Sequence, residues 1–303
     1  MDARSICQQT IEQVNSVVMG KQQQVKLALC CMLARGHLLI EDLPGMGKTT
    51  LSHALAIATG LSYKRVQFTS DLLPADILGV SIFRQDTHNF EFHEGPIFSQ
   101  LVLTDEINRA SPKTQSALLE AMEERQVSID GHTKHLPDPF FVIATQNPLH
   151  QSGTFPLPES QLDRFLIRIE LGFPSIAAEK QMLKEDKKLS LNQIKPCMTP
   201  ATLLDLQKQV DNVGANDELL DYLLKLVNES RVNTAFSKPL SPRASKGILQ
   251  AAKAWALIHD RGYVNADDVQ AVFSAIAEHR LSSGIISSQA SLSEKLLRLV
   301  EPI

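Results

Sequence analysis

The chain has 303 residues, 43% of them hydrophobic, which is enough to bury one large core or two modest ones. With 30 basic and 34 acidic residues its net charge is -4, so the composition excludes wholesale attraction to nucleic acid or anionic lipid. The N-terminus, MDARSICQQTIEQ, carries Asp2 and Glu12 instead of the basic start and apolar run of a signal peptide. We therefore expect a soluble, cytoplasmic protein without membrane insertion.

The cysteines point to the same compartment. The four cysteines are Cys7, Cys30, Cys31 and Cys197, and no two of them have C-x-x-C spacing. This pattern favours neither a disulfide framework nor a metal site. We expect reduced, mostly buried thiols.

The first part of the chain predicts an α/β fold. Up to about Gly172, short apolar segments alternate with helical patterns, which is typical of a parallel sheet. The predicted strands cover residues 37–41, 101–105, 140–145 and 165–169.

Beyond Pro174 the pattern becomes helical. Helix starts, each with an N-cap residue, occur at Thr199-Pro200, Ser241-Pro242 and Asn265. A serine-rich linker, residues 282–293, joins the last two predicted helices. The sequence therefore predicts two domains, residues 1–174 and residues 175–303.

The stretch HLLIEDLPGMGKTT, residues 37–50, resembles a phosphate-binding P-loop, G-x-x-x-x-G-K-[ST], with Asp42 in place of the first glycine. In such a loop the backbone N–H groups cradle phosphates, Lys48 reaches the β and γ oxygens, and the Thr49 hydroxyl binds Mg²⁺. Asp42 suits the turn because Asp hydrogen-bonds to nearby backbone. The alternative is a chance Gly-Lys-Thr between a strand and a helix.

A second apolar strand, in LVLTDEINRA, ends in two carboxylates. Open α/β sheets place their ligand sites at such strand ends. We expect Asp105 to hold the Mg²⁺ water shell and Glu106 to polarise the attacking water. The alternative role for these carboxylates is to cap the next helix, but Ser111-Pro112 already provides that cap.

Three further polar residues lie next to the ends of predicted strands or in the first turn of a predicted helix. Asn147, at the end of FFVIATQNP, suits a contact with water or with the γ-phosphate, or an ordinary turn before proline. Arg164 lies just before the predicted strand 165–169. Arg243 lies in the first turn of a helix, where a cation opposes the helix dipole by roughly 0.3–1 kcal/mol. An anion is therefore expected beside Arg243, either a phosphate or a surface carboxylate.

Two hairpins are predicted around these elements. Alternation of Ile82, Phe90 and Phe92 about a polar turn predicts the first. The second, QVSIDGHTKHL, turns at Asp130-Gly131. They face a pore or a substrate in one interpretation, and cover sheet edges in the other.

Together these motifs closely resemble those of the MoxR family of AAA+ ATPases, in the order VVMGKQQQV, EDLPGMGKTT, GPIFSQLVLTDEINRASPKTQSALLEAMEERQVSIDG, FVIATQNP, LPESQLDRF and SPRA. The match covers nearly the whole chain. The resemblance implies a P-loop core with a five-stranded parallel sheet, a helix-2 insert and a pre-sensor-1 hairpin, followed by a helical lid.

The resemblance also implies roles for individual residues. The nucleotide, ATP or ADP, would contact Val18, Met19, Gly20, Pro44, Gly45, Met46, Gly47, Lys48, Thr49 and Thr50. Mg²⁺ would be bound through Thr49 and Asp105. Catalysis would depend on Glu106, on Asn147 as sensor 1, on Arg164 as arginine finger and on Arg243 as sensor 2. Arg109 faces a neighbour's site or forms a salt bridge within its own turn.

By this resemblance the function is that of an ATP-hydrolysing chaperone. It would form a homo-oligomeric, hexameric ring that remodels protein substrates, with a von Willebrand factor A domain protein as a possible partner. The alternatives are a nucleic-acid motor similar to MCM helicases and a slow nucleotide-dependent assembly switch. No basic tract supports nucleic-acid binding.

Overall fold

A computed structural model of the chain describes residues 2–147, 153–184, 191–282 and 291–302. In these ranges the strands are β1 (Leu38–Glu41), β2 (Tyr63–Gln67), β3 (Gly79–Arg84), β4 (Asn89–Glu94), β5 (Leu101–Asp105), β6 (Gln126–Ile129), β7 (His132–His135), β8 (Phe141–Gln146) and β9 (Ile167–Ile169). The helices are α1 (Ala3–Asn15), α2 (Gln22–Leu33), α3 (Lys48–Thr59), α4 (Pro74–Leu78), α5 (Pro112–Glu124), α6 (Glu159–Leu162), α7 (Ile176–Lys184), α8 (Pro200–Asn212), α9 (Asp217–Val232), α10 (Pro242–Ile258), α11 (Ala266–Leu281) and α12 (Leu292–Leu299). Most of the predicted linker 282–293 lies outside the described residues.

The centre of the fold is a five-stranded parallel sheet in the order β2-β5-β8-β1-β9. Strands β1, β5 and β8 are buried on both faces, as their continuous apolar runs predict. Because all strands are parallel, their carboxyl ends lie at one edge of the sheet. The predicted α/β fold and the five-stranded sheet are confirmed.

Strand β2 was not predicted, although it completes the sheet. It lies at the edge beside β5, and only Val66 among its five residues is buried. An exposed edge strand with charged residues lacks the apolar run that marks a buried one.

The helix starts expected after residue 174 are all confirmed by their caps. The side chains of Thr199, Ser241 and Asn265 accept hydrogen bonds from backbone N–H groups three residues further on. Asn265 also forms a capping box with Asp268. The late helices therefore begin where the sequence indicates.

The late helices pack against the first two helices of the chain. The Cys30 thiol of α2 donates to the carbonyl of Ala251 in α10, and Gln207 of α8 donates to the carbonyl of Met32. One hydrophobic cluster joins α1, α2 and the late helices to a face of the sheet. The described strands thus all precede residue 174, and only helices follow it. The late helices share a core with the first part of the chain, and the domain boundary near residue 174 stays a prediction.

The thiols lie where the sequence predicts. Cys7, Cys30 and Cys31 are buried, Cys197 is partly buried, and all four are free. Burial raises the pKa of Cys7 to about 12. Within the described ranges, no helix is both long and apolar enough to cross a bilayer.

Both predicted hairpins are present. Strands β3 and β4 form one and β6 and β7 the other, each separate from the central sheet. A cavity of about 790 Å³ lies between them, lined by Phe90 and Phe92 on one side and by Ile129 and Lys134 on the other. The Lys134 ammonium lies 4.5 Å from the centre of the Phe92 ring.

We predict that Asn265→Ala lowers the free energy of unfolding by about 1 kcal/mol, because the first turn of α11 loses its side-chain cap. Urea denaturation measures the change. Asn265→Gly is the matched control and should lose only about a few tenths of a kcal/mol. Equal losses in the two variants would contradict the capping explanation.

Candidate nucleotide site

The P-loop connects β1 to α3 at the carboxyl edge of the sheet. Gly45 and Gly47 have φ values of +84° and +91°, which other residues rarely adopt. A Cβ atom at either position would meet no atom of the described residues within 4 Å, so these residues leave the space above the loop open. The loop and the N-terminus of α3 therefore offer backbone N–H groups to an anion.

Asp42 is integrated into the loop by its side chain. Its Oδ1 accepts from the backbone N–H of Leu43 at 2.8 Å, and its Oδ2 accepts from that of Gly172 at 2.6 Å. This is the backbone hydrogen bonding that the sequence predicts for Asp in place of glycine.

Lys48 lies among the acidic residues of the same edge. Its Nζ donates to the carbonyl of Asp42 at 2.5 Å. Burial lowers the pKa of Lys48, while Asp42, Asp105 and Glu106 act in the opposite direction. The ammonium is thus close to the residues predicted to bind metal and activate water.

Asp105 ends β5 and is buried. Its Oδ1 accepts from the Thr145 hydroxyl at 2.6 Å, and its Oδ2 lies 2.6 Å from Nη2 of Arg65. The Thr145 oxygen also accepts from the backbone N–H of Glu106 at 2.9 Å. A single hydroxyl thereby fixes both positions of the Asp-Glu pair.

The Glu106 carboxylate points to partners other than those of Asp105. Its Oε2 accepts from Nε2 of Gln67 at 3.0 Å and from Nη1 of Arg109 at 2.9 Å. Ser111, not Glu106, caps α5. The helix-capping alternative for Glu106 is therefore wrong, whereas Arg109 makes the salt bridge within its own turn.

Val18, Met19 and Gly20 precede α2 and approach the segment that follows β9. Gly20 has a φ of +72°, and a Cβ there would lie 3.1 Å from that of Ala178. Next to them, the Lys21 ammonium donates to the carbonyl of Phe173 at 2.7 Å. The Asp42 carboxylate accepts from the backbone of Gly172, so the segment after β9 lies between residues 18–20 and the P-loop.

Asn147 directly follows β8, which lies between β5 and β1. Its backbone carbonyl accepts from Nδ2 of Asn108 at 3.4 Å. Asn147 therefore lies between the Asp-Glu pair and the P-loop. This is the position that a contact between Asn147 and a γ-phosphate would need. Pro148, on which the turn interpretation depends, is outside the described residues.

Arg164 and Arg243 lie at the opposite edge of the sheet, where the strands begin. Arg164 precedes β9, and two residues later the Leu166 N–H donates to the carbonyl of His37, just before β1. Both arginines contact the carboxylate of Glu123, Arg164 at 3.0 Å and Arg243 at 3.2 Å. The anion expected beside Arg243 is therefore a carboxylate of the same chain.

The two edges are separated by the length of the strands. The four residues of β1 span about 13 Å at 3.3 Å per residue. The structure therefore gathers Lys48, Asp105, Glu106 and Asn147 together, but places Arg164 and Arg243 away from them.

The sequence of the chain also matches known proteins. The family described as "ATPase family associated with various cellular activities (AAA)" matches residues 37–167, and the AAA lid domain matches residues 228–296. Chaperone MoxR1 of Mycobacterium tuberculosis is 40% identical over 90% of this chain and 75% of its own length. The chain belongs to the MoxR family of AAA+ ATPases. Protein YeaC of Bacillus subtilis is 46% identical over 92% of this chain and 88% of its own.

The MoxR fold is also found in a solved structure. A crystal structure of a candidate ATPase from Cytophaga hutchinsonii is 34% identical to this chain, with a TM-score of 0.89. The match covers 99% of this chain and 96% of the other. The likeness therefore includes the late helices as well as the sheet.

We predict that Lys48→Ala removes measurable ATP affinity while the melting temperature stays that of the parent. The loop then lacks the ammonium that reaches the β and γ phosphates. Titration with a fluorescent ATP analogue measures the affinity. Lys113→Ala, an exposed lysine of α5, is the control and should bind like the parent. Unchanged affinity in Lys48→Ala would refute the assignment.

We predict that Glu106→Gln still binds Mg-ATP but loses most of its turnover, because the amide cannot take a proton from water. Asp105→Asn should instead weaken the Mg²⁺ dependence of binding. Phosphate release and a titration of ATP at varied Mg²⁺ distinguish the two effects. Glu120→Gln, an exposed position on α5, serves as the control. Parental turnover in Glu106→Gln would show that another group activates the water.

Proposed function

We propose that this MoxR-family chain is a Mg²⁺-dependent ATPase that acts as a ring-forming chaperone. The observation that carries the proposal is the division of the predicted site between two edges of the sheet. One edge has the groups that bind nucleotide and activate water, and the other has two arginines. Head-to-tail packing of protomers would bring unlike edges together.

The residues of the carboxyl edge fit Mg-ATP. The open glycine loop accepts the phosphates, the Lys48 ammonium leaves the Asp42 carbonyl for them, and residues 18–20 lie on the adenine side. The Thr49 hydroxyl and the Asp105 carboxylate are oxygen ligands of the kind that Mg²⁺ prefers. Bound Mg²⁺ would neutralise charge on the β and γ oxygens.

Turnover then depends on Glu106. Its carboxylate accepts a proton from the attacking water, and the hydrogen bonds from Gln67 and Arg109 fix its orientation beforehand. Thr145 holds the backbone of Glu106 in register with Asp105. Asn147 orients the water or the γ-phosphate from the adjacent strand.

The arginines complete the site of the neighbouring protomer. Arg164 and Arg243 are both partly exposed, with 28% and 47% of their side-chain surface accessible. A guanidinium there would stabilise the charge that develops on the transferred phosphoryl group. We infer a homo-oligomeric, hexameric ring in which each nucleotide lies between two chains.

The chaperone role rests on the relative named Chaperone MoxR1 and on the surface of the hairpins. The cavity between the hairpins is bordered by Phe90, which is 74% exposed, and by the partly buried Phe92. Such a surface suits contact with a protein. A protein substrate in the cytoplasm, reached directly or through a von Willebrand factor A domain partner, fits this surface, and the net charge of -4 gives nucleic acid no advantage.

We predict that Arg164→Ala and Lys48→Ala are each nearly inactive, since an arginine finger contributes about 10³–10⁵ in rate. After mixing in equal amounts and subunit exchange, activity should return. An Arg164→Ala protomer keeps its pocket and receives Arg164 from a Lys48→Ala neighbour. With random mixing, roughly one interface in four is productive.

Phosphate release measures this complementation, and size-exclusion chromatography confirms mixed oligomers. Lys113→Ala mixed with Arg164→Ala is the control for exchange. A mixture of Lys48→Ala and Arg164→Ala that forms oligomers but stays inactive would show that the arginine does not serve a neighbour independently.

A further inference from the structure

Glu123 connects the two arginines of the edge opposite the P-loop. Its Oε2 lies 3.0 Å from Nη1 of Arg164, and its Oε1 lies 3.2 Å from Nη1 of Arg243. The same Nη1 of Arg164 also donates to the carbonyl of Leu119, one turn earlier in α5, at 2.6 Å. One carboxylate therefore lies between two guanidiniums, and each of its oxygens contacts a different arginine.

The three groups come from three separate parts of the fold. Glu123 lies in the last turn of α5, Arg164 just before β9, and Arg243 in the first turn of α10. Neither end suits its charge, because a carboxylate at a helix C-terminus and a cation at a helix N-terminus both oppose the dipole. The pairing of Glu123 with Arg243 offsets both, and it links α10 to α5.

The charges around this contact leave the pair cationic. Among the described residues, the neighbouring arginines have carboxylates of their own, since Arg280 pairs with Asp163 at 2.7 Å and Arg125 lies 3.8 Å from Asp138. In the described part of the chain, Glu123 is the one carboxylate that forms an ion pair with Arg164 and with Arg243, so these three groups carry a net charge of about +1.

The nearby His37 adds no positive charge. Burial, and then the charges of Arg125 and Arg243, lower its pKa to about 4, so the ring is neutral at pH 7. The unbalanced charge therefore belongs to the two arginines. They are partly exposed and can meet a further anion.

We propose that Glu123 is a positioning residue that holds Arg164 and Arg243 as one cationic unit for a phosphate group. The phosphate is that of the nucleotide bound by an adjacent protomer, so this inference rests on the proposed function. Each guanidinium has five N–H donors, more than its contacts with Glu123 use. The carboxylate fixes the spacing of the arginines, and the remaining donors bind the phosphate.

The test is Glu123→Gln, which keeps the shape of the side chain and removes its charge. The kcat for ATP should fall by about 10- to 100-fold, because both guanidiniums lose their fixed positions. ATP affinity, measured by titration with a fluorescent analogue, should stay parental, since the chain's own P-loop is unchanged. Glu123→Asp, which restores the charge, should recover part of the kcat.

Glu124→Gln is the matched control. It removes a carboxylate from the adjacent exposed position of α5 and should leave kcat within about twofold of the parent. Parental kcat in Glu123→Gln would overturn the proposal. A raised kcat would also overturn it, because it would mean that the ion pairs with Glu123 keep the arginines from binding the phosphate. A loss of kcat matched by a lower melting temperature, and not recovered by Glu123→Asp, would also overturn it, because the contact would then be structural only.

A mixing experiment separates this inference from the proposed function. Glu123→Gln combined with Lys48→Ala should regain activity, as the Lys48→Ala protomers supply an intact set of Glu123 and arginines. If this mixture stays inactive while Arg164→Ala with Lys48→Ala recovers, Glu123 does not act with Arg164 and the inference fails. If both mixtures stay inactive, it is the assignment of Arg164 to a neighbour's site that fails, and the inference with it.

Discussion

The parallel alignment of the five strands is the constraint on which the site depends. Parallel strands end at the same edge, so residues distant in sequence meet wherever a strand stops. Lys48 follows β1, Asp105 ends β5 and Asn147 follows β8. The Thr145 hydroxyl fixes the register of β8 against β5, because it hydrogen-bonds to both Asp105 and Glu106 from the neighbouring strand. A shift in register between β5 and β8 would break both bonds.

The same alignment explains why the arginines lie elsewhere. A residue that precedes a parallel strand is at the amino edge, and Arg164 precedes β9. Helix α5 runs back from the carboxyl edge and brings Glu123 to meet it. The fold thus separates the edge that has the P-loop from the edge that has the two arginines, and no change of side-chain rotamer can bring them together within one chain.

Much of this arrangement could be predicted from sequence, for definite reasons. The buried strands, the glycines of the P-loop and the capped late helices depend on local patterns, and they are where the patterns indicate. Asp42 also behaves as its chemistry predicts. The strand expected at 165–169 is shorter, because the carbonyl of Phe165 accepts from Arg280 instead of joining the sheet.

The missing parts depend on contacts between distant residues. Arg65 and Gln67, which bond Asp105 and Glu106, lie on β2, and β2 has too little apolar character to be recognised. Glu123 is one of several acidic residues in α5, and nothing local distinguishes it from Glu124. Its role becomes visible only when two other elements are placed beside it.

The shared core limits how this molecule can move. In many two-domain proteins a small, polar interface lets one domain swing over a ligand. Here α10 and α8 are joined to α2 by buried apolar side chains and by hydrogen bonds from Cys30 and Gln207. Opening that contact would expose the core to water at a cost of about 25 cal/mol per Å² of apolar surface. Any movement of α8 and α10 away from α2 within one chain therefore carries this cost.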